Sequence, residues 1–124
     1  MNEAELAAGL PPTPGYRYAD TVGDELFLAG QVPNDADGTI VGLGDAGAQA
    51  DRCLDNLFRI IELHGFDRAD IRRLVIYVVG DELSTAWSAV RDRFGGEVPP
   101  ATLLGVARLG YPHQVVEIDA TVRR

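Results

Sequence analysis

An α+β sandwich, a mixed sheet with two helices packed on one face, is the fold class this chain predicts. Three observations carry it. Between Ala46 and His64, apolar residues recur at Ala50, Cys53, Leu54, Leu57, Ile60 and Ile61, the stripe of an amphipathic helix. Leu74–Val79 is an unbroken β-branched and aromatic run, as expected of a strand buried on both faces. Near the C-terminus Val116, Ile118, Ala120 and Val122 alternate with Glu117, Asp119 and Thr121, the period of a strand with two unlike faces.

The remaining elements complete the order β-β-α-β-α-β-β. Tyr16–Val22 and Glu25–Ala29 read as two strands joined at Gly23-Asp24, a tight hairpin signal. Pro33–Gly44 is a polar loop with room for a short strand at Thr39–Val41. Gly65 stops the first helix. A second helix sets Leu83, Ala86, Trp87, Val90 and Phe94 on one face and ends at Gly95-Gly96. Thr102–Val106 and Val115–Val122 are the last strands. No repeat or second domain is visible, so residues 1–124 read as one domain, with 1–14 expected to form a flexible N-terminal arm.

Composition narrows the function. A chain of 124 residues, 46% hydrophobic, has a modest core; a domain of this size buries roughly two thirds of its unfolded surface. No apolar stretch approaches the ~20 residues of a membrane span, so no membrane partner is expected. Met1–Pro14 has neither the basic nor the apolar region of a signal peptide. Cys53 is the only cysteine, which excludes an internal disulfide and makes the cytoplasm the default location. At a formal charge of −8, with eleven arginines scattered among nineteen acids, the chain lacks the clustered cations that nucleic acid requires. The absence of lysine removes Schiff-base chemistry, a pyridoxal-phosphate anchor and the Walker-type phosphate loop.

Other signals reduce to ordinary structure. Ser84 and Ser88 fall within a helix rather than on an exposed elbow. His64 reads as a helix end, His113 as a loop residue and Cys53 as core, so neither a metal site nor a cofactor is expected. Gly42-Leu43-Gly44-Asp45-Ala46-Gly47 fits the dinucleotide pattern G-x-G-x-x-G. However, its preceding strand is only about three residues, and Asp45 opposes a pyrophosphate. Asp45 is better read as the helix cap. Asn34-Asp35-Ala36-Asp37-Gly38 lacks the later glutamate of a calcium loop and reads as a turn.

Several segments taken together resemble a known family. Pro14-Gly15-Tyr16, Phe27-Leu28-Ala29-Gly30-Gln31-Val32-Pro33, Gln49, Asn56-Leu57, the strand led by Pro99-Pro100 and Val116-Glu117-Ile118 look like the Rid family (RidA-like and YjgF-like proteins) from about Tyr16 to Arg123. The best-known members are enamine/imine deaminases. The resemblance implies a chorismate-mutase-like fold and a homotrimer that binds small molecules in clefts between subunits.

Residue by residue, the resemblance implies a partial site. Tyr16, Gly30 and Glu117 match family positions, and Thr102 stands where the family often has serine. The arginine that pairs with a substrate carboxylate falls at Ala101, a frequent cysteine at Leu103 and a pocket asparagine at Trp87. Glu117 then keeps the means to activate water for attack on a C=N carbon. A carboxylate entering beside Ala101 loses its hydration without gaining a partner. Losing a buried charge partner costs about 3–5 kcal/mol, at least a hundredfold in rate on amino-acid-derived imines. Bland readings stand beside these: Trp87 lies on an apolar helix stripe, and Glu117 fits a structural ion pair with an arginine. Three functions follow as expectations. They are a hydrolase for imines or enamines without a carboxylate, a non-catalytic binder of small apolar ligands, and, disfavoured by charge, an endoribonuclease or translation inhibitor.

Overall fold

The computed structural model describes residues 1–124. Helix α1 spans Glu3–Ala7, strands β1 and β2 Ala19–Val22 and Glu25–Leu28, and helix α2 Ala46–Leu63. A 3-10 turn at Arg68–Asp70 leads into β3, Ile71–Val79; α3 (Leu83–Arg93), β4 (Ala101–Val106) and β5 (Val116–Arg123) follow. The sheet order is β1-β2-β5-β3-β4. Only β3 and β4 run parallel, joined through α3 as a parallel pair requires; all other neighbours are antiparallel.

The α2 stripe is buried as its spacing dictates. Ala50, Cys53, Leu54, Leu57 and Ile61 meet Leu74, Ile76 and Val78 of β3 and Val116, Ile118 and Val122 of β5 in one core cluster. Ala86 and Val90 of α3 join the same cluster, so both long helices cover one face of the sheet. Asp45 caps α2, its side chain accepting from Ala48 N at 3.0 Å. Gly42 before it is left-handed at φ 80°, where a side chain is strained.

Three expectations change. Residues 1–14 are not a free arm: Leu10 is buried with Tyr18 and Ile60, and Glu5 pairs with His64 Nε2 at 2.9 Å. These contacts link residues far apart in sequence, so local composition gives no sign of them. The hairpin turns at Gly23-Asp24, but its first strand begins only at Ala19, after an irregular Tyr16–Tyr18. Finally, β3 is covered by helices on one face only. Leu74, Ile76 and Val78 are fully buried, whereas Val75, Tyr77 and Val79 are half-buried on the other face. Glu117 and Asp119 of β5 share that second face, opposite Tyr77 and Val75 respectively.

Candidate functional site

A cleft of about 700 Å³ opens beside the β1–β2 hairpin. Its walls are Tyr16–Asp20, Phe27–Gly30, Val32, Tyr111 and Glu117. Thus Tyr16, Gly30 and Glu117, distant in sequence, come together. Strand β5 positions Glu117 by alternation: Val116 and Ile118 point into the core, so Glu117 must point away from it. Gly30 lies beside it because β2 leads directly into a bridge between Gln31 and Ile118. A methyl group on Gly30 would sit 2.6 Å from Glu117 Oε2, so the missing side chain is the space this carboxylate oxygen occupies.

The electrostatics around Glu117 favour a proton acceptor with raised affinity. Burial pushes its carboxyl above the ordinary value, a hydrogen bond from Gln114 works the other way, and nearby Asp119 pushes upward again. Asp119 is itself raised by burial, against the lowering effect of the Ala120 N–H bound to its Oδ1 at 2.9 Å.

Two phenols face each other at the cleft: Tyr16 and Tyr111 hydroxyls are 2.9 Å apart. Partial burial first, then this hydrogen bond, holds the Tyr16 phenol well above its usual range, so it serves as a neutral hydrogen-bonding group. Burial likewise pushes Tyr18 up to about 12, and its hydroxyl donates to Pro11 O at 2.5 Å. Arg17 is the only cation lining the cleft, and its Nη2 lies 3.4 Å from Asp20 Oδ2.

Trp87, Ala101 and Thr102 do not line this cleft. Trp87 packs partly buried against the main core. Ala101 pairs with Leu74, on the helix-covered side of the sheet, whereas Glu117 lies on the other side. Thr102 accepts a hydrogen bond from Arg73 Nη2 at 2.8 Å. Sequence reasoning missed Tyr111 and Gln114, which sit in the loop between β4 and β5. A polar residue just before an apolar strand was the available signal, but it is shared with most loop ends.

The family described as Endoribonuclease L-PSP matches residues 8–124. The chain belongs to this family. Among its relatives, a RutC family protein of Pyrococcus horikoshii is 31% identical over 123 residues, covering 97% of this chain and 96% of the relative. The YjgF gene product of E. coli superposes with a TM-score of 0.82 at 26% identity, with 94% of each chain covered. A putative endoribonuclease of Thermotoga maritima gives 0.81 at 29% identity, covering 92% of this chain and 91% of that one. The Rid resemblance and the chorismate-mutase-like fold read from the sequence therefore both hold.

Proposed function

We propose that this L-PSP family member is a small-molecule hydrolase of the deaminase type, acting on an imine, enamine or related reactive compound that carries no carboxylate. The observation that supports it most is Glu117: a carboxylate of raised proton affinity, in a cleft, with its Oε2 facing the vacancy at Gly30. In this reading Glu117 takes a proton from water as the water oxygen bonds to the C=N carbon, and the displaced π pair goes to nitrogen, which receives that proton back from Glu117 to give a carbinolamine. Breakage of the C–N bond then releases ammonia or an amine and leaves a carbonyl. The Tyr16 and Tyr111 hydroxyls offer hydrogen bonds to the nitrogen or to water.

The limit to ligands without a carboxylate rests on cations. Ala101 supplies none, and Arg17 is mostly exposed and already engaged by Asp20. Because Ala101 and Glu117 lie on opposite faces of one sheet, a cleft that uses both takes them from two copies. A homotrimer with clefts between subunits fits this; Trp87 and Thr102, which do not line this copy's cleft, are assigned to the neighbouring copy's contribution. We place the protein in the cytoplasm; no helix is long and apolar enough to cross a membrane. RNA cleavage is disfavoured, since a phosphodiester in this cleft meets Glu117 and Asp20 with one arginine between them.

The same lack of a free cation favours a second reading, a non-catalytic trimer that binds small, mostly apolar ligands. Hydrolysis of imines generated in situ by an amino-acid oxidase separates the possibilities, with wild type and Ala101→Arg run side by side. A silent wild type with an active Ala101→Arg supports a working Glu117 and a cleft tuned to other substrates. An active wild type removes the restriction on carboxylates. Silence in both moves the binding reading ahead.

A further inference from the structure

Beside the carboxylate lies a buried amide that neither the family resemblance nor the proposed chemistry uses. Gln114 is 4% exposed and sits at the end of the loop that joins β4 to β5. Its Nε2 donates to Val116 O at 3.0 Å and to Glu117 Oε1 at 3.3 Å, while its Oε1 accepts from Tyr111 N at 3.3 Å. Only one orientation of the amide fits: two acceptors lie at one end and a backbone donor at the other.

We propose that Gln114 is the positioning residue of this cleft, one side chain that holds Glu117 by Oε1 and fixes the loop carrying Tyr111. The proposal rests on the reading of Glu117 as the reactive carboxylate. Its consequence is a division of labour between the two oxygens. Oε1 is tied to the protein, and Oε2 is left facing Gly30, where it has no hydrogen-bond donor. A carboxylate fixed at one oxygen keeps its rotamer and presents the other in a defined direction.

The loop is built to make this hold. Gln49 of α2, fully buried, binds it from the core side: its Nε2 donates to His113 O and its Oε1 accepts from Val115 N and Val116 N. His113 between them is left-handed at φ 68°, a conformation the flanking bonds maintain. Tyr111 is thereby aimed at Tyr16 across the cleft. The other ionisable groups around Glu117 are Asp119 on its own strand, Tyr77 opposite on β3, Tyr16, Tyr18 and Tyr111 with Arg17 and Asp20 at the cleft wall, and the Cys53 thiol of α2. None of these donates a hydrogen bond to Glu117, so Gln114 alone favours its charged form by direct contact.

Carbon-13 NMR of the side-chain carboxyl in the full chain tests this without needing activity. Glu117 is assigned by the signal that Glu117→Gln removes, and its shift is followed against pH. Gln114→Met removes the donor and is expected to move the Glu117 midpoint upward by about half a unit to one and a half units. Gln114→Glu keeps the length and the acceptor for Tyr111 N but replaces the donor with a charge, and the midpoint rises further. It also serves as the second variant if Gln114→Met does not fold. Tyr111→Phe leaves the midpoint at the wild-type value. Where turnover is measurable, Gln114→Met lowers kcat roughly ten- to a hundredfold, with little change in KM, and its acid limb shifts with the NMR midpoint. A Glu117 midpoint unmoved in folded Gln114→Met and Gln114→Glu overturns the proposal, even if the protein proves to be a hydrolase. Silence of both wild type and Ala101→Arg on imines moves the binding reading ahead of the hydrolase reading and leaves the NMR result standing on its own.

Discussion

Gly30 and Glu117 share one volume. A Cβ on Gly30 would lie 2.6 Å from Glu117 Oε2, closer than nonbonded atoms allow, and 3.0 Å from its Cδ, a tight contact. Gly30 has no left-handed backbone that would demand glycine; the demand comes from the neighbouring carboxylate. Gly30→Ala must therefore move Glu117 or the strand segment beside it. Overpacking of this kind costs about 1–3 kcal/mol, and chemical denaturation should show a loss in that range. Turnover, or ligand binding in the absence of turnover, should fall at least tenfold. Unchanged activity and stability would mean that the carboxylate can leave this position freely.

Neutralising Glu117 has opposite effects on stability and chemistry. Burial raises its carboxyl above the ordinary value, so the folded chain keeps a proton at pH values where the unfolded chain has released it. Stability then falls as pH rises from the ordinary glutamate range through the folded pKa, and the full penalty is present at neutral pH. Glu117→Gln should be more stable than wild type at neutral pH by up to about 1 kcal/mol, a modest figure because solvent reaches the half-buried group. The advantage should vanish near about pH 3–4, where both states of the wild type hold the proton. Turnover should drop roughly 10²- to 10⁴-fold with binding retained. Thermal melts across pH, paired with binding assays, check both halves.

The two strongest sequence signals, the α2 stripe and the alternation of β5, were sufficient to place the helix layer and to turn Glu117 away from the core. They depend only on periodicity, which burial enforces residue by residue. Gly30 and Tyr16 were legible only through family resemblance, since nothing local distinguishes them from turn and edge residues. Ala101 shows where sequence reading stops. Its row in the sheet, beside Leu74, follows from the parallel register of β3 and β4, and that register sets it on the opposite face from Glu117. Tyr111 and Gln114 were illegible for a related reason. Their roles depend on the path of one loop and on a hydrogen bond 95 residues long in sequence between Tyr111 and Tyr16.

The hydroxyl pair offers a clean measure of what closes the cleft. Tyr16 and Tyr111 are joined by a single 2.9 Å contact and are otherwise held by different segments of the chain. Tyr16→Phe and Tyr111→Phe should each cost about 0.5–1.5 kcal/mol, the worth of one partly exposed hydrogen bond. In a double-mutant cycle the two losses should not add, because either change already breaks the same bond. Additive losses would show that each hydroxyl is stabilised independently, and that the pair is not the tie between loop and N-terminal segment.

Gln49 carries the largest stability prediction. It is fully buried on α2, yet its side chain bonds four backbone groups: Nε2 donates to Gly42 O and His113 O, each at 3.1 Å, and Oε1 accepts from Val115 N at 2.8 Å and Val116 N at 3.3 Å. Gln49→Leu preserves the volume and removes every partner at once. Each buried backbone group left unpaired costs about 1–3 kcal/mol, so a loss of about 3 kcal/mol or more is expected after partial relaxation. Gln49→Glu, which burial between the Gly42 and His113 carbonyls favours as the neutral acid, retains an acceptor for Val115 and Val116 and loses one donor; assayed at acidic pH, where the acid is protonated, it should cost less. Urea denaturation of the two variants decides the order. Equal stabilities would mean that water enters the loop and replaces the amide. In that case Tyr111 and Gln114 would be held from the β5 side alone.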